Sequence, residues 1–136
     1  MFGVPADQTA EFTRLIAHRT KDAKIAHRTI SSAAETVANK PAFREAFKRL
    51  HCFAVFRRVL WLRKRPDRTK QPYRIGMRDR GPFGLAGLWE RWRPGPHAEP
   101  VETFTIITTA PNAVATPIHN RMPVVVAPAD SAALEA

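Results

Sequence analysis

His119 and Arg121 lie two residues apart in Pro117-Ile118-His119-Asn120-Arg121-Met122-Pro123. This segment follows a β-branched run over residues 103–109 and leads into three valines that end at Val126. An imidazole takes up and releases protons near neutral pH. A guanidinium is a permanently charged, planar fork suited to oxyanions. A strand end followed by a short polar connection would hold both groups in place. The pattern therefore predicts a proton carrier beside an anion anchor. A lone histidine in such a place also suits a buried, hydrogen-bonded structural role, so both readings of His119 stay open.

Positioning this pair requires strands. Tyr73, Ile75 and Met77 alternate with Arg74, Gly76 and Arg78, which predicts a half-buried strand over 72–78. Asp79-Arg80-Gly81-Pro82 turns the chain. Residues 83–92, 102–109 and 122–126 read as further strands. The apolar run 53–62 also reads as a strand, although the adjacent Arg57 and Arg58 would put one charge on each face. Residues 63–70 form a basic loop with Pro66. A helix is predicted over 41–50. Pro41 suits its first turn, where a missing N–H costs nothing. Phe43, Ala46, Phe47 and Leu50 fall on one stripe. The expected fold is α+β, a mixed and mostly antiparallel β core with small helices. Residues 1–14 read as a remnant N-terminal segment and 15–130 as one partial domain.

A chain of 136 residues supports one modest core, and a hydrophobic fraction of 44% argues against wholesale disorder. Lys and Arg total 22 against 12 acids, a net charge of +10. That balance favours a polyanion as partner, most simply nucleic acid, over a merely solvated basic surface. The one cysteine, Cys52, allows no disulfide within the chain, which fits a reducing cytoplasm. One Cys and five scattered His give no structural zinc spacing. No metal or organic cofactor is expected. No apolar run approaches the roughly 18 residues that span a bilayer, and no signal peptide is visible. A monomer that does not engage membranes is the expectation.

Six ordered segments carry a resemblance. They are Lys21-Asp22-Ala23-Lys24-Ile25, then Ala34-Glu35-Thr36-Val37-Ala38 with Lys40-Pro41-Ala42-Phe43-Arg44, then Gln71-Pro72-Tyr73. Ala86-Gly87-Leu88-Trp89-Glu90, Thr105-Ile106-Ile107-Thr108-Thr109 and the segment around His119 complete the set. Together they resemble the SOS response-associated peptidase (SRAP) family over most of residues 20–128. The resemblance implies an incomplete SRAP domain and a role in the DNA damage response. Proteins of that family react with abasic sites in single-stranded DNA through a cysteine that follows the initiator methionine. Its amine and thiol close a thiazolidine on the sugar aldehyde, forming a covalent link to DNA. A glutamate and a histidine move the protons, and arginines hold phosphates.

The sequence departs from that pattern at several of these positions. Position 2 is Phe2, and Met1-Phe2-Gly3-Val4-Pro5-Ala6-Asp7 resembles a piece from after the family's first helix, so a start further upstream is expected. Ser31 stands for the family's asparagine and Ala33 for an arginine, and Arg19 replaces a tryptophan. The glutamate falls on Trp61, inside a mismatched block over 53–63 for which a slip of reading frame is the expected origin. The resemblance marks His119 as a proton-transfer remnant and Arg121 as a DNA contact. Ser31, Lys40, Thr109 and Arg19 are weaker candidates for DNA binding.

Each weaker candidate has a plainer alternative. Lys40 could simply solvate a helix end, and Thr108 or Thr109 could pack across strands. Trp89 is expected in the core, whereas Trp92 suits either core or base stacking. Glu35 reads as a structural support. The basic run 57–65 is a further candidate for phosphate contact. Three functions stay open: a covalent enzyme on abasic DNA, a noncovalent single-stranded DNA binder, and a decayed fragment that folds poorly.

Overall fold

The computed structural model describes residues 31–127. In chain order the elements are β1 (Ser31–Ala33), α1 (Arg44–Arg49), β2 (His51–Phe56), β3 (Val59–Lys64), β4 (Lys70–Ile75) and β5 (Phe83–Trp92). They continue with β6 (Val101–Thr109), β7 (Met122–Pro123) and β8 (Val125–Val126). The long apolar run after the Asp79–Pro82 turn becomes β5, the middle of the sheet. It pairs antiparallel with β2 on one side and β6 on the other. β1 adds in parallel to the far side of β6, while β7 and β8 pair antiparallel with β6 and β5. The sheet is mixed and mostly antiparallel, as predicted. The helical part is slighter than an α+β label suggests: the described residues hold one α-helix, of six residues.

Leu88 of β5 lies opposite Thr105 of β6, so both project from one face of the sheet. That face is covered by Val37, Phe43 and Ala46, which bury Leu88 completely. Each large apolar side chain so buried contributes about 1.5–3 kcal/mol. The regular helix is shorter than the predicted span. Its bonding nonetheless begins early, since the Arg44 N–H donates to the Lys40 carbonyl at 2.9 Å. Phe43 and Ala46 of the predicted stripe are buried, whereas Phe47 sits at the margin with its ring edge-on to His51.

The predicted strand over 53–62 is two strands in two sheets. β2 stops at Phe56, Arg57 and Arg58 occupy the bend, and β3 starts at Val59. The physical reason is the pleat. Adjacent arginines in one strand would point to opposite faces, and one charge would enter the core. Breaking the strand leaves both exposed. β3 pairs with β4 as a separate two-stranded sheet, so the predicted basic loop over 63–70 is mostly hairpin. β4 also ends at Ile75, short of the predicted Arg78. At the hairpin tip the Asp67 carboxylate accepts both the N–H and the hydroxyl of Thr69, at 2.9 and 2.6 Å. Of the two strand tryptophans, Trp89 is expected in the core and Trp92 in either the core or a stacking role. Trp92 is buried in the core, while Trp89 is half-buried opposite Phe104.

Candidate functional site

Sheet register sets the site. Ile106 and Thr108 share the β6 face that α1 does not cover, and Leu85 of β5 joins them there. Beyond Thr109 the chain runs through a connection over 110–121 that contains turns before it returns as β7. The Asn112 side-chain oxygen accepts the N–H groups of Val114 and Ala115 at 3.1 and 3.0 Å. Buried Ala115 then accepts the His119 N–H on its carbonyl at 2.9 Å. His119 is thus delivered to the open face by a turn anchored at Asn112 and Ala115.

The Arg121 backbone N–H donates to His119 Nδ1 at 3.1 Å. This bond assigns Nδ1 as an acceptor, so the neutral ring carries its proton on Nε2. The imidazole lies against the indole of Trp61 from β3, with ring centroids 6.0 Å apart and planes 28° from parallel. That separation falls within the range of stabilising aromatic pairs.

Arg121 is held from two sides. Its Nη1 and Nη2 donate to the two carboxylate oxygens of Glu35 at 3.0 and 2.9 Å, a bidentate pair. Nη2 also donates to the Thr108 carbonyl at 2.7 Å. The Arg121 hydrogen bond, ahead of any other cause, holds the Glu35 carboxyl below the ordinary carboxylate range. The same bond holds the proton on Arg121 more firmly.

Trp61, Thr108, His119 and Arg121 line one open cleft of about 640 Å³. Ser31, Phe56, Arg58, Trp61, Thr108, His119 and Arg121 supply its polar and aromatic wall, and no carboxylate among the described residues lines it. Trp61 also lines a neighbouring hollow of about 180 Å³, whose wall is otherwise almost wholly apolar. Cys52 packs across from Gly87, and burial pushes its thiol up to about 11, so it is no thiolate at neutral pH. Among the described residues no three His, Cys, Asp or Glu side chains come together as a metal site.

Of the predicted site residues, Ser31, His119 and Arg121 meet in the cleft. Lys40 is exposed on the turn before α1, and Thr109 pairs with Met122; neither lines the cleft. Arg19 lies outside the described residues. Thr108, rather than Thr109, faces the cleft, a distinction the two-residue strand period decides once Ile106 is known to face it. Trp61 and Arg58 also belong to the site. No local pattern announces Trp61, because a hairpin from another part of the chain brings it there.

The sequence matches the SOS response associated peptidase (SRAP) family over residues 8–134. The chain belongs to the SRAP family. It is 38% identical over 111 residues to the abasic site processing protein YoqW of Bacillus subtilis (strain 168), covering 82% of this chain and 49% of that protein. Similarity to the abasic site processing protein YoaM of the same organism is of the same order: 38% over 113 residues, 83% of this chain and 49% of YoaM. This SRAP chain therefore spans about half the length of the curated relatives it matches. A crystal structure of a protein from Bacteroides thetaiotaomicron superimposes with a TM-score of 0.81 and 27% identity, covering 89% of this chain and 55% of that one. Within this SRAP fold the indole of Trp61 stacks on His119.

Proposed function

We propose that this SRAP chain serves abasic-site DNA processing as a noncovalent binder of single-stranded DNA, and that it forms no covalent link. One observation carries the reading: an indole, not a carboxylate, stands against His119. The nearby Glu35 is consumed by Arg121, so among the described residues His119 has no acidic partner in the cleft wall. General acid–base catalysis needs groups within reach of the proton and of suitable pKa. Aldehyde capture by a thiazolidine also needs a thiol beside a free α-amine. Cys52 does not supply that pair: it lies inside β2, half-buried, and desolvation pushes its thiol up to about 11. Support for DNA as the partner comes from the net charge of +10, from Arg58 and Arg121 in the cleft lining, and from relatives named abasic site processing proteins.

A single-stranded oligonucleotide carrying one abasic site, incubated with the full chain, tests both halves of the proposal. On a denaturing gel no shifted band is expected. Under native conditions binding is expected, and log K should fall linearly with log salt, by about 0.7 per phosphate contact. A band that survives denaturation overturns the loss of crosslinking. No binding at low salt overturns the DNA assignment.

A further inference from the structure

The Trp61–His119 pair is a two-ring stack on the wall of an open cleft, and a stack with an accessible ring invites a third. Trp61 is half-buried, His119 is exposed, and both line the 640 Å³ cleft. That volume is within the range of sites that take small flat ligands, about 300–1,000 Å³. Around the rings the wall supplies the hydroxyls of Ser31 and Thr108 and the guanidinium of Arg58. Arg121 cannot turn freely toward a ligand, because Glu35 and Thr108 hold it. The site therefore offers aromatic surface first and charge second.

Charge selects the kind of flat ring. Residues 57–80, from the bend before β3 to the turn before β5, carry ten Lys and Arg against two acids, Asp67 and Asp79. Trp61 sits on the hairpin within this segment. A ring attached to a chain of negative charges fits that setting, and a cationic or peptide aromatic does not. Aromatic platforms flanked by cations are how proteins hold unpaired bases without reading their sequence.

We propose that Trp61 and His119 form a stacking platform for a nucleobase of single-stranded nucleic acid, so that the cleft favours a strand with its bases over a bare sugar–phosphate chain. This deepens the noncovalent reading and rests on it. The indole face is the specific element. The neighbouring cations act on any strand of equal charge.

The test compares a labelled thymidine oligomer with an equally long strand of stable abasic spacers, by fluorescence anisotropy at fixed salt. The full chain is used as wild type, Trp61→Leu and Trp61→Phe. Leucine keeps apolar bulk on the hairpin but has no π face, and thermal melts of all three confirm that they fold. Wild type should bind the thymidine strand at least about fivefold tighter than the spacer strand. Trp61→Leu should lose that difference, its affinity for the thymidine strand falling to its affinity for the spacer strand, and Trp61→Phe should keep most of it. Equal wild-type affinity for both strands overturns the platform and leaves DNA binding standing. A difference that survives in Trp61→Leu overturns it as well. Failure of wild type to bind either strand at low salt overturns the underlying DNA reading, and the platform with it.

Discussion

At the scale of single residues, the decisive contact is the one between Glu35 and Arg121. It spans 86 positions of sequence and closes with two parallel N–H···O bonds. Glu35 alone reads as a support and Arg121 alone as a phosphate anchor. Only the parallel pairing of β1 with β6, which brings Ala33 opposite Thr108, places them together. The pair has a pH signature. The Glu35 carboxyl is held below its ordinary range by the Arg121 hydrogen bond. A depressed folded-state pKa stabilises the fold above the unfolded value, and that contribution is lost as pH falls through the folded value. The window therefore lies on the acid side, below about pH 4. Glu35→Gln should melt slightly below wild type at neutral pH, by little because the pair is exposed and screened, and the difference should close as pH falls through that window. The same substitution releases the guanidinium toward the cleft. The salt slope of DNA binding should steepen by up to about one phosphate contact. An unchanged acid melting profile would show that Glu35 titrates as though unpaired.

At the scale of elements, the close approach of β5 and β6 depends on Gly87. A Cβ at that position would lie 2.6 Å from the Thr105 carbonyl oxygen and 3.2 Å from Cys52 Sγ. The first of these atoms is backbone, so the strands themselves must separate. Gly87→Ala should cost about 1–3 kcal/mol, read as a lower denaturant midpoint at unchanged slope. A midpoint equal to that of wild type would mean the sheet opens there at no cost. Much of this architecture was legible beforehand. The run 83–92 and the alternation before it declared strands because their periods and turn residues agree, and the order of segments pointed to the family. The site was half legible. His119 and Arg121 stood out because proton carrier and anion anchor are adjacent in sequence. Arg58 entered only as part of the basic run 57–65, and the stack of Trp61 and the pairing role of Glu35 were hidden, because hairpin placement and sheet register bring them in from a distance. The expected single strand through Arg57 and Arg58 failed for a local reason. The two-residue period cannot keep adjacent charges on one side, so the chain bends and opens a second sheet. That bend is what carries Trp61 to His119.

At the scale of the whole molecule, the positive charge is not spread evenly. Residues 57–80 hold ten of the 22 basic residues but two of the 12 acids. The segment includes the β3–β4 hairpin, which makes its own sheet, and Trp61 of that hairpin forms part of the cleft wall. Long-range fields from such an arm concentrate a polyanion near the cleft, whereas cations on the outer side of α1 raise only the net charge. The two effects separate by experiment. Replacing Arg63, Lys64 and Arg65 with glutamine removes three positive charges from the hairpin, and replacing Arg44, Lys48 and Arg49 removes three from the helix. Both variants reach the same net charge. If the hairpin is the arm that meets the strand, the first set should lower the salt slope of binding by about two, at roughly 0.7 per phosphate contact, and the second should leave it near wild type. Equal losses from both sets would mean that DNA senses the charge of the protein as a whole and not this arm. The hairpin substitutions are exposed, and the strand pairing they leave intact is backbone to backbone. A weaker slope in that variant would therefore report lost contacts and not a lost fold, provided its melting curve overlays that of wild type.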